Sequence, residues 1–188
     1  MKINYIKFYI VYKLYTRDLR RLRVTLGDFR RLWAILGPRV GFFSEILKQA
    51  KSGVKTRIES DPFYTEKYGY KFKIQLKPDG SSTGKGTHLS THLSVYFIMM
   101  KGEYDAVLLW PFRKKVTFML IDQQTDPNDR ENIVMSLSTD LMGWNLRPLT
   151  SENNGIGFPK FVSHNKLRER RFIVDDTIFI KGKIAPPQ

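Results

Sequence analysis

The chain has 188 residues, 32 of them Lys or Arg against 18 Asp or Glu, for a formal charge of +14. A hydrophobic fraction of 41%, with 13 Phe, 9 Tyr and 3 Trp, provides a core and excludes a disordered polycation. The absence of Cys excludes disulfides, thiolate zinc sites and a cysteine nucleophile, and makes a cytoplasmic location the default.

A charge this large suggests nucleic acid or an anionic membrane until it is located. Residues 1–57 carry 14 Lys or Arg and 3 acids, whereas residues 58–188 carry 18 and 15. The basicity belongs to the first third. Residues 1–41 read as a basic N-terminal extension, poorly ordered, with a mitochondrial transit peptide or translated non-coding sequence as the alternatives. Its run Tyr5–Tyr15 is interrupted by Lys7 and Lys13 and is too short for the ~20 apolar residues of a membrane span. It also lacks the uninterrupted apolar centre of a secretory signal.

Residues 42–185 read as one domain, followed by a short tail, 186–188. From Phe42 to Gly53 the apolar positions Phe43, Ile46, Leu47 and Ala50 predict one short helix, with Ser44 as its cap and Gly53 as its stop. Beyond it the pattern turns to β. Tyr70–Lys77 alternates apolar and polar residues, and Pro78-Asp79-Gly80 signals a turn into a loop that reaches Gly86. Leu93–Met100, Val107–Phe112 and Lys115–Asp122 follow as strands. A polar loop, Asp122–Asn132, leads into an irregular segment, Ile133–Pro148. A last strand is expected over Phe172–Ile184. Short strands with turns between them and one helix predict an all-β antiparallel sandwich.

Three catalytic-looking arrangements fail on inspection. Gly80–Thr87 resembles a phosphate-binding loop, but it has three residues between its glycines instead of four, and Gly86 rather than Ser or Thr follows Lys85. His88 and His92, in a tandem Thr-His-Leu-Ser repeat, would lie ~13 Å apart on a strand, too far for one zinc. Asp175 and Asp176 are adjacent, so on a strand they would face opposite sides; a turn or capping role suits them better. No Gly-x-Ser-x-Gly elbow is present. The reading is therefore of no enzyme, no cofactor and no metal. Nucleic acid is not expected either, because Lys71, Lys73 and Lys77 have their aromatic neighbours on the opposite face, the usual pattern of a solvated outer face.

A specific set of motifs then carries a resemblance. It comprises Phe63-Tyr64-Thr65, Tyr68-Gly69-Tyr70-Lys71, Gly84–Ser90, Met100–Asp105, Trp110-Pro111-Phe112, Asp122-Gln123 and Asp175–Ile180. In order and rough spacing, from about Phe43 to Ile184, these resemble the TRAF/MATH domain of the TNF-receptor-associated factors. The resemblance implies an eight-stranded antiparallel β-sandwich and a non-enzymatic cytoplasmic adaptor, recruited to the plasma membrane by its partners. Such domains bind short peptides of receptor tails and signalling proteins by strand addition at a sheet edge.

The same resemblance assigns a peptide site. Gln75 and Lys77 stand where receptor-binding members have an arginine and an aromatic that grip an acidic residue. Asp79 matches an acidic loop position, and Tyr96 a Phe beside a hydrophobic subsite. Leu141-Met142-Gly143 before Trp144 replaces three serines. Ile156, Gly157 and Phe158 match a glycine-aromatic run lining the groove; core packing is the competing role for Tyr96, Trp144 and Phe158. Gln75 cannot reproduce a bidentate arginine clamp, so an apolar-anchored groove of altered specificity is expected. Family members trimerise through a preceding coiled coil, whereas Leu19, Leu22, Leu26 and Phe29 fall short of the three or four heptads such a coil needs. A homotrimer is therefore open, and no Cys/His-rich zinc region of a ubiquitin-ligase half is present. The family's first strand, Trp-Lys-Ile, finds Pro38-Arg39-Val40 at its position and Trp33-Ala34-Ile35 five residues early. Either Leu32–Leu36 supplies that strand or it is lost. Binding to an anionic, phosphoinositide-bearing membrane through basic surface residues is the alternative function.

Overall fold

The computed structural model describes residues 6–11, 43–80, 91–138 and 143–185. Its elements are β1 (Ile6–Val11), α1 (Phe43–Lys51), β2 (Ile58–Glu59), β3 (Phe63–Tyr64), β4 (Lys71–Lys77), β5 (His92–Met100), β6 (Lys115–Leu120), β7 (Ile133–Leu137), β8 (Ile156–Ser163), α2 (His164–Glu169) and β9 (Phe179–Ala185). The strands form an all-antiparallel four-stranded sheet, β1-β9-β6-β7, and a five-stranded sheet, β2-β4-β5-β8, with β3 also paired to β4.

Alternation places the core between the sheets. On β6, Val116, Phe118 and Leu120 are fully buried, and on β9 Ile180 and Ile184 join them. Across from them lie Phe72, Ile74 and Leu76 of β4 and Leu93, Val95, Phe97 and Met99 of β5. Phe72 meets Phe97 at 5.2 Å and Phe112 at 5.4 Å between ring centres, both edge-on, the geometry aromatic quadrupoles favour.

The helix α1 ends as expected. Gly53, at φ +76°, donates to the Ala50 carbonyl while Val54 donates to Gln49, a left-handed glycine stop. Its start is different: Ser44 lies inside the helix, and the cap is Asp176. The Ser44 N–H donates to Asp176 Oδ1 at 2.9 Å and its hydroxyl to Oδ2 at 2.8 Å. Asp175 and Asp176 both hold left-handed φ, at 48° and 53°. The turn they make, bridging Val174 and Thr177, keeps the last strand from starting at Phe172.

Other expectations are also corrected. Val107–Phe112 is a set of turns, not a strand: Val107 and Leu109 are largely exposed, and Pro111 has no N–H to give a ladder. Ile133–Leu137, expected to be irregular, pairs with β6 as β7. A second helix, α2, was not expected; Ser163 caps it by accepting from the Lys166 N–H at 3.1 Å, and Leu167 anchors it in the core. Nine strands are described, and β2 and β3 lie end to end along β4, opposite β5, so they fill the eight positions of the expected sandwich. The edge of the four-stranded sheet comes from Ile6–Val11, within the stretch read as extension. Residues 32–36, residues 81–90 with His88, and the tail 186–188 lie outside the described residues.

Candidate functional site

Strands β4, β5 and β8 bring several expected site residues into one row. The register pairs Gln75 with Tyr96, and Tyr96 with Gly157, so all three stand side by side across the outer face of the five-stranded sheet. Lys77 reaches over the Tyr96 ring, its ammonium 5.3 Å from the ring centre, within cation–π range. Gly157 is there for space. A Cβ on it would stand 2.0 Å from the Val95 carbonyl oxygen, so no larger residue lets β8 approach β5. Asp79 sits at the turn after β4, where Gly80 at φ +74° donates to the Lys77 carbonyl.

The remaining expected positions divide. Ile156 is buried in the core. Phe158 packs on Phe118 and Phe161, with ring centres 6.3 and 6.4 Å away, so it is mainly a core residue. Its remaining surface lines an open cleft of about 340 Å³ with Met135, Pro159 and Lys160. Trp144 lies half-buried against the core in a 3-10 turn begun by the exposed Gly143. Leu141 and Met142 lie outside the described residues.

The outer face is not simply solvated. Lys73 and Gln75 are each only 9% exposed, because a polar network crosses the sheet above them. Lys73 Nζ donates to Glu59 Oε2 of β2 at 2.8 Å and lies 2.7 Å from Glu152 Oε2 on the opposite flank. Gln75 Nε2 donates to Glu59 Oε1 at 2.7 Å, which turns its amide toward β2 and away from β8. The hydrogen bond from Lys73 holds the Glu59 carboxyl below its ordinary range against the opposing effect of burial. Burial alone would push the Lys73 ammonium down, but its bonds to Glu152 and Glu59 outweigh that and raise it. Glu59, Lys73 and Glu152 escape sequence reasoning because the partners are 14 or more positions apart and follow no motif.

Among the described residues, two strand edges without a neighbouring strand lie close together on this flank. β8 ends the order of its sheet, and β7 ends the order of the other. β8 also shifts register against β5 between Leu93 and Val95, and Pro159, at that irregularity, interrupts its donors. Among the described residues no helix is long and apolar enough to cross a membrane, and no group of His, Cys, Asp or Glu is placed to hold a metal ion.

A two-sheet antiparallel sandwich with an aromatic and lysine-bearing row beside a free strand edge has the build of a protein-interaction domain. The family model of the TRAF/meprin MATH domain matches residues 55–181, and the chain belongs to that family. It is 43% identical over 167 residues to TNF receptor-associated factor 1 of Mus musculus, spanning 87% of this chain and 38% of that protein. To TNF receptor-associated factor 2 of Homo sapiens it is 37% identical over 146 residues, 77% of this chain and 28% of the relative. The solved structure of Notothenia coriiceps TRAF5 superposes with a TM-score of 0.69 at 30% identity, covering 78% of this chain and 70% of that one. The chain spans roughly a third of the length of these curated relatives.

Proposed function

We propose that this domain is the non-enzymatic, peptide-capturing part of a cytoplasmic signalling adaptor. Its ligand is a short extended segment of a receptor tail or signalling protein, added as a strand along the free edge of β8. One observation carries the reading: the β8 edge is bordered by the row Gln75–Tyr96–Gly157, with Lys77 over Tyr96. Main-chain groups of the edge supply affinity, and the side chains beside it supply selectivity.

The groove is apolar-anchored. Gln75 is committed to Glu59 and offers no guanidinium fork, so an acidic peptide residue meets only the point charge of Lys77. Tyr96, Trp144 and the exposed surface of Phe158 provide the apolar contacts, with Leu141 and Met142 assigned to the same groove by resemblance. Recruitment to membrane receptors and trimeric avidity belong to the whole adaptor.

A peptide array probed with the full chain tests this. Extended peptides with apolar anchors are expected to give the strongest signals, and Tyr96→Ala to weaken them about tenfold, or ~1.4 kcal/mol, without lowering the melting temperature by more than a few degrees. A best signal from the serine-dependent acidic motif, with Lys77→Ala binding as the parent does, would overturn the apolar-anchored groove.

A further inference from the structure

Among the described residues β8 is the edge of its sheet, with a carboxylate near one end and an exposed lysine near the other. At one end, Ser151–Asn153 continue the line of β8 along β5: the Lys101 N–H donates to the Ser151 carbonyl and the Asn153 N–H to that of Met99, both at 2.9 Å, and Glu152 bridges Met100. Glu152 lies on this flank with its side chain 36% exposed, giving one carboxylate oxygen to Lys73. That ammonium is shared with Glu59, so two carboxylates hold one lysine. Arg57 stands on the far side, its Nε 3.7 Å from Glu59. Lys71 turns toward the Tyr64 ring, 5.7 Å from its centre. The row Arg57–Glu59–Lys73–Glu152 is balanced in charge, and its carboxylate end lies on the β8 side, at Glu152.

At the other end the sign reverses. Lys160 is exposed and lines the apolar cleft with Met135, Phe158 and Pro159. Lys77 lies on the same half of the face, across from Ser94. A strand added to an antiparallel sheet runs antiparallel to its neighbour, so its N-terminal end would meet Lys160 and its C-terminal end Glu152.

We infer that the β8 edge selects a charge-ordered peptide: an acidic residue beside an apolar anchor at the N-terminal end, and a basic residue about six positions later, set by ~3.3 Å per residue along the edge. The acid pairs with Lys160 while the anchor enters the Met135–Phe158 cleft, and the base pairs with the outward oxygen of Glu152. Pro159 interrupts the ladder at the Lys160 end, so the pairing is short and orientation rests on charge. The inference rests on strand addition at β8 and adds the class and direction of the ligand.

Two peptides of identical composition test it, titrated against the full chain by calorimetry. Both have an apolar centre; one carries Glu first and Lys last, the other Lys first and Glu last. The acid-first peptide is expected to bind at least tenfold tighter. Glu152→Gln should reduce that ratio severalfold, and Lys160→Glu, at an exposed position outside the bridge, should do the same while melting like the parent. Equal binding of the two peptides, or a ratio unchanged in Lys160→Glu, overturns the charge-ordered ligand and leaves strand addition standing. Failure of both peptides to bind overturns strand addition and this inference together.

Discussion

Lys73 lies on the outward side of β4, where alternation sends it, yet it is nearly as buried as the core behind it. Two carboxylates from opposite flanks cover its ammonium, and a lone Lys so placed would lose much of its hydration. Lys73→Ala removes the cation between the two acids and leaves Glu59 only the more distant Arg57. It is expected to cost roughly 1–3 kcal/mol in urea unfolding, less than a fully buried pair because both acids are partly exposed. The same physics sets the acid limit. Glu59 is held low chiefly by Lys73. Asp122 would be raised by burial, but the Glu131 N–H and Arg170 outweigh that and lower it. Both carboxyls are lower folded than unfolded, so their stabilisation is complete above the ordinary carboxylate range near pH 4 and is lost as pH falls through the folded values. Melting temperature measured against pH should drop below about pH 4, and less steeply in Glu59→Gln.

At the scale of the elements, β4, β6 and the end of β9 are legible in the sequence because each hides one face, and period-two alternation reports that directly. Three other features are not. Val107–Phe112 has strand composition, but it is a turn region whose backbone serves side chains from elsewhere: Tyr70 donates its hydroxyl to the Leu109 carbonyl, and Trp110 its indole N–H to that of Asp105. The helix α2 is too short for its Ser163 cap and the His164–Leu167 pair to stand out. The cap of α1 lies 132 positions away. At the site, the resemblance reaches the row Gln75–Tyr96–Gly157, whereas the bridge over it depends on side chains that the fold alone brings together. The distant cap is testable. Asp176→Ala loses two hydrogen bonds and puts Ala at a left-handed φ, so about 1–2 kcal/mol of stability should go, while Asp176→Asn, which tolerates that backbone and keeps one acceptor, should lose less. Chemical denaturation of the two variants measures the difference.

At the scale of the molecule, the two sheets differ in how they end. The five-stranded sheet leaves β8 open, in keeping with the proposed capture of a ligand. The four-stranded sheet ends on β1, whose six residues cover β9 in unbroken register from Ile6–Ile184 to Val11–Phe179. A chain beginning at residue 42 should therefore expose the β9 edge. Size-exclusion chromatography with light scattering is expected to show concentration-dependent association of that shorter chain, and its melting temperature to fall. Monomeric behaviour with unchanged melting would show that β1 is dispensable.

The pairing of β1 with β9 also orders events in time. β1 leaves the ribosome before every other described strand and its partner β9 after them, so the ribbon Ile-Lys-Phe-Tyr-Ile-Val waits unpaired while the rest of the domain is made. The five-stranded sheet can assemble during that wait, since all its strands precede β9 in the chain. The four-stranded sheet completes only once β9 has been made, when β1 and β9 meet across a long loop closure. Until then the unpaired β1 ribbon is a target for a chaperone that holds extended apolar segments.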